Sequence, residues 1–120
     1  MKKQLAEESG VVGAPVEEVW RVLLKDLGDT WAHHPGPTKE SDGYWVAYQG
    51  GWWYRCEWSA AAHPEGTLVV QRVFNVAEWG AWAVPLANKF FIGFERNNRE
   101  GFAAGLARIG ERLGCSTRLA

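Results

Sequence analysis

The chain has little sulfur and no long apolar run. Cys56, Cys115 and the single methionine at position 1 are its only sulfur-bearing residues. Two cysteines are too few for a disulfide framework, and their spacing matches no metal or redox motif. Charge of one sign is also missing: 13 basic against 14 acidic residues leave a net charge of −1, with no block of either kind. That argues against a basic-patch protein that grips nucleic acid or a membrane surface. No apolar run approaches the roughly 20 residues that a membrane-spanning helix needs. The opening MKKQLAEESG has two lysines but no apolar segment behind them, so it does not read as a signal peptide. A reduced, cytoplasmic protein is the expectation. No glycine-rich phosphate loop, nucleophile elbow or paired-carboxylate motif occurs, so neither a cofactor nor a plain catalytic centre is expected. His33, His34 and His63 do not make a metal site, because adjacent histidines point apart and no ligand spacing fits.

Aromatic side chains are abundant. The 120 residues include eight tryptophans, at 20, 31, 45, 52, 53, 58, 79 and 82, in a chain that is 47% hydrophobic and 22% charged. The length predicts one domain with one core. So many indoles exceed ordinary core filling, so some should line a pocket or an interface.

Read in order, Lys2 to Val12 is a weak first strand, interrupted by Glu7, Glu8 and Gly10. Pro15 and the acidic pair Glu17 and Glu18 mark a helix start. Val16, Val19, Trp20, Leu23 and Leu24 form its apolar stripe, and Gly28 is expected to end it after about Asp26. Asp29 to Thr38 reads as a short helical turn and then a loop, and Ser41-Asp42-Gly43 as a turn. Strands follow at Tyr44–Gln49, Trp52–Ala60 and Thr67 to about Val76, with His63–Gly66 as a turn between the last two. Glu78 to Ala83 is either a short strand or a crossover. From Pro85 to Leu113, the apolar residues Leu86, Phe90, Phe94, Phe102, Leu106 and Ile109 recur at helical steps. Such a helix would be about 44 Å long, against a radius of gyration of roughly 14 Å for a chain of this size. It therefore has to cross the molecule. Gly114 is a left-handed stop, and the tail beyond Cys115 is expected to fray. The segregated elements give an α+β class.

The run Ser9-Gly-Val-Val-Gly-Ala-Pro-Val-Glu-Glu-Val-Trp20, then Leu23-Leu24, Asp29, Trp31 and Pro35, resembles the opening of the SRPBCC superfamily. These START-like or helix-grip proteins are represented most closely here by polyketide cyclase/dehydrase-like members. The resemblance implies a strongly curved antiparallel sheet gripping a long C-terminal helix. It also implies a cavity between them for a hydrophobic or aromatic small molecule. Members are cyclases or dehydratases, or lipid and hormone carriers. The family usually places six strands before the last helix. Here the interval from Tyr44 to Val84 holds three clear strands and room for a fourth, so the sheet is expected to be abbreviated. A shortened sheet exposes an edge that a second copy would cover, which makes a homodimer an expected partner alongside the small molecule.

Pairing across the His63–Gly66 turn sets Ala62 against Thr67 and Glu57 against Arg72. One face then carries Tyr54, Cys56, Trp58, Gln71 and Val73, and the other Arg55, Arg72 and Phe74. The first set is expected to face inward, although a one-residue slip would reverse this. Arg72, if inward, would orient an anionic or carbonyl ligand with Glu57 or Glu95. If outward, it is a surface ion pair of little worth. His34, in the loop that lies near the pocket mouth in similar proteins, is the other catalytic candidate, as a general acid or base. Otherwise it is a solvated loop histidine. Trp31, Tyr48, Tyr54, Trp58, Phe74, Phe90 and Phe94 are the expected apolar ligand contacts, or else simply core. Asn98 falls on the Phe90–Phe94–Phe102 line, so it should point toward the cavity and need a partner there.

Overall fold

The computed structural model describes residues 3–31, 38–42, 44–50, 53–77 and 94–120. The chain runs β1 (Lys3–Val12), α1 (Val16–Trp31), β2 (Thr38–Asp42), β3 (Trp45–Gly50), β4 (Tyr54–His63), β5 (Gly66–Asn75), α2 (Phe94–Leu113) and β6 (Thr117–Leu119). It is α+β. One six-stranded sheet has the order β2-β3-β4-β5-β1-β6, and every neighbouring pair is antiparallel. Both helices lie on one face, where Val12, Val46, Cys56, Trp58, Val69 and Val73 meet Val19, Leu23, Phe102, Leu106 and Ile109.

Alternation sets the faces. On β5 the inward residues Thr67, Val69, Gln71, Val73 and Asn75 are buried, and the intervening residues from Leu68 to Arg72 are half-buried. The turn fixes the register as expected, with Ala62 opposite Thr67 and Glu57 opposite Arg72. Gly66 sits in that turn at φ 137°, and a Cβ there would lie 2.2 Å from the Val12 carbonyl oxygen. Thr67 is fully buried, and its hydroxyl donates to the Ala14 carbonyl at 2.8 Å. That bond ties the start of α1 to the sheet.

Several expectations change. Helix α1 does not stop at Gly28 but continues to Trp31. Nothing lies within 4 Å of a Cβ placed on Gly28, so that glycine only weakens the helix locally and does not end it. Thr38–Asp42, read as loop and turn, is the strand β2, whose polar sequence suits the sheet edge it occupies. With β2, the described strands between the helices number four. The tail is not frayed. Gly114 does stop α2, at φ 65°, but Thr117–Leu119 then pairs with Gly10–Val12. Flanking bonds from Gly13 N–H to Ser116 O and from Ala120 N–H to Ser9 O, both 2.9 Å, hold it there. The first nine residues of the expected long helix, 85–93, with Phe90, lie outside the described residues.

Gly10 explains how α2 reaches the sheet. It is an inward position of β1, and Leu106 and Phe102 rest directly over it. A side chain there would hold the helix away. The glycine that weakens β1 as a sequence therefore permits the tertiary contact.

Candidate functional site

Between the sheet and the two helices lies a cavity of about 180 Å³. Leu23, Asp26 and Leu27 of α1 form one wall. Tyr54, Cys56, Trp58 and Gln71 form the sheet wall, and Gly101, Phe102, Gly105, Arg108 and Ile109 of α2 close it. The space exists because α2 presents two glycines toward it. A Cβ on Gly101 would meet nothing within 4 Å, and one on Gly105 only Arg108 at 3.5 Å. Trp58 stacks on Phe102 with ring centres 5.6 Å apart, and both residues line the cavity.

The polar groups of the sheet wall gather at one sulfur. Burial pushes the Cys56 thiol up to about 11, while hydrogen bonds from Tyr54, Gln71 and Trp58 pull the other way. Burial likewise drives the Tyr54 phenol well above its ordinary value, and the neighbouring Cys56 adds to the shift. Both groups are neutral at pH 7. The Gln71 Oε1 atom is buried and has no hydrogen-bond partner in the structure. An unmet buried acceptor is costly and uncommon. At the rim, Arg108 donates to both carboxylate oxygens of Asp26, at 3.1 and 3.2 Å, and so spans from α2 to α1. The bond to Asp26 raises the guanidinium pKa, which keeps Arg108 fully charged. The ends of the cavity thus differ, with neutral groups within and an ion pair at the mouth.

The structure brings together only some of the residues expected from sequence. Tyr54 and Trp58 line the cavity, as their inward register implied. Tyr48 is buried beside them, edge-on to Tyr54 at 6.1 Å. Phe94 is buried in the same core at the start of α2. Asn98 lies on the buried line of α2, and its Nδ2 is buried without a partner in the structure.

Arg72 and Phe74 require correction. Arg72 is on the face away from the helices, where it pairs with Glu7 at 2.8 Å and is substantially exposed. Its β5 neighbours Gln71 and Val73 take the inward positions, so alternation excludes it from the cavity. Glu57, its expected partner, instead pairs with Arg55 at 2.9 Å, and Arg55 also lies 5.8 Å over the Trp45 ring. Phe74 stands opposite Arg55 on that outer face. It is buried but lies outside the core cluster. The His34 and Trp31 side chains lie outside the described residues.

Sequence reasoning put Gln71 on the correct face but did not single it out. Its signal was a lone amide between Val69 and Val73 in an inward alternation. Asp26 and Arg108 were missed because they are 82 positions apart and nothing local couples them.

Among the described residues no cluster of three or more His, Cys, Asp or Glu side chains is placed to hold a metal. No described helix is long and apolar enough to cross a membrane. Comparison with known proteins found no matching family model, no matching curated protein and no matching solved structure.

Proposed function

We propose that this chain is a helix-grip-type binding domain that holds a compact hydrophobic or aromatic molecule between its sheet and its C-terminal helix, as a carrier or sensor. The observation that carries this reading is the 180 Å³ cleft between the sheet and the two helices, open at the Asp26–Arg108 rim and walled within by Trp58, Phe102, Leu23 and Ile109. Protein interiors are otherwise close-packed, with few voids larger than a water molecule. An apolar cavity of about 150 Å³ is already large enough to bind benzene. Pockets for drug-sized ligands run from about 300 Å³ upward, so the size favours one aromatic ring over a folded polyketide chain.

The carrier reading is preferred to a cyclase or dehydratase on chemical grounds. Arg72 faces away from the cavity. The thiol and phenol that do line it hold their protons at neutral pH, which makes them poor bases. The test is thermal denaturation with a series of monocyclic aromatics, toluene first. A ligand that binds only the folded state at one hundred times its Kd adds about 2.7 kcal/mol, a shift of several degrees. Gly105→Leu, which places a side chain at the cavity wall, should abolish the shift while leaving the protein folded. If no compound shifts the wild type, or all shift the filled variant equally, the cavity is not a binding site.

A further inference from the structure

We infer that the cavity selects a neutral aromatic molecule bearing one hydrogen-bond donor, a phenol-type ring, and that Gln71 Oε1 is the atom that reads it. This rests on the binding role proposed above and names the chemistry it selects. Gln71 lines the cavity and is 8% exposed, and its Oε1 is buried with no hydrogen-bond partner. Tyr54, Cys56 and Trp58 stand on the same wall, and hydrogen bonding from Tyr54, Gln71 and Trp58 works against the upward shift of the Cys56 thiol. The Gln71 oxygen is the acceptor of that wall without a partner. A ligand that brings a donor satisfies it. One that brings only an acceptor leaves two lone-pair sites facing each other.

Charge narrows the class further. Among the described residues the inner wall carries no ionised group, and the cation at the mouth, Arg108, is engaged by both Asp26 oxygens. An anion entering the cavity would lose its hydration without a free counter-charge. Trp58 and Phe102 supply aromatic surface to the wall.

The experiment measures calorimetric affinities of the wild-type protein for toluene, phenol, anisole and benzoate. Hydrophobic transfer alone ranks toluene above phenol, so a reversed order is diagnostic. Phenol is expected to bind about tenfold tighter than toluene, the effect of one hydrogen bond to an otherwise unmet buried acceptor, with benzoate weakest. In Gln71→Met, of similar volume but without the carbonyl, the ratio of phenol to toluene affinity should fall to near unity. Equal affinities for toluene and phenol in the wild type would overturn the inference and leave the binding role standing. A preference for anisole over phenol would overturn it by showing that the amide nitrogen faces the cavity. Failure of every probe to bind would overturn the inference and the binding role together.

Discussion

Replacing Gly10 with alanine should destabilise the fold far more than a single methyl group ordinarily does. The Cβ would lie 2.2 Å from Leu106 Cδ1, 2.9 Å from the Arg118 carbonyl oxygen and 3.4 Å from Phe102 Cε2. Comfortable contact starts near 3.5 Å, so Leu106 would have to move by more than about 1 Å. Leu106 is 2% exposed and Phe102 1%, so neither has free space to move into. The Arg118 oxygen belongs to β6 and yields only if that strand shifts on β1. Overpacking of this kind costs typically 1–3 kcal/mol, and the upper half of that range applies here because both helix and strand are displaced. Gly28→Ala is the internal control. Its Cβ meets nothing, and it lies within α1, so removing glycine's extra unfolded-state freedom should stabilise by about 0.5–1 kcal/mol. Urea denaturation at fixed pH measures both, with unchanged slopes expected. The reasoning fails if Gly10→Ala matches the wild type, or if Gly28→Ala is the less stable of the two.

Stability should also fall in mild alkali. Cys56 keeps its proton to about pH 11 in the fold, against an ordinary 9.0. Below pH 9 the thiol is protonated both folded and unfolded, and the full stability is present. Between about 9 and 11 only the unfolded thiol ionises, so the loss grows to roughly 2–3 kcal/mol. Tyr54 acts in the same direction above pH 10. Urea melts at pH 8 and 11 should show the drop, and Cys56→Ala should flatten part of it; a wild type equally stable at both would contradict the burial argument. Arg72→Ala should cost under about 1 kcal/mol, because the Arg72–Glu7 pair is solvent-exposed. It should leave toluene affinity unchanged, and a tenfold weakening would return Arg72 to the site.

How legible the fold was depended on whether the deciding contact was local. The β4–β5 register was readable because a short turn containing Pro64 and Glu65 fixes which residues face each other. Asn98 was readable because helical phase puts it on the line of Phe94 and Phe102. Strand β6 was not, since Thr117–Leu119 has no pattern of its own and exists through pairing with β1. The end of α1 was misread because a glycine signals an end only where the chain must turn left-handed, as at Gly114 and not at Gly28. The polar chemistry of the sheet wall was not legible. That the Gln71 oxygen is left without a partner depends on side chains from two strands at ångström separation, which periodicity does not resolve.

The position of β1 also has a kinetic consequence. The strand nearest the N-terminus is not an edge but an interior strand, held between β5 and β6. Val12 pairs with Thr67 and with Thr117, so its two partners lie some 55 and 105 residues along the chain. During synthesis it must wait while β2 to β5 form a meander that is still open at β5. Closing long loops before any contact rewards them makes such sheets slow to fold, and the waiting β5 edge is open to another chain. The pairing of β1 is complete only when Thr117–Leu119, more than 100 residues further along, joins it.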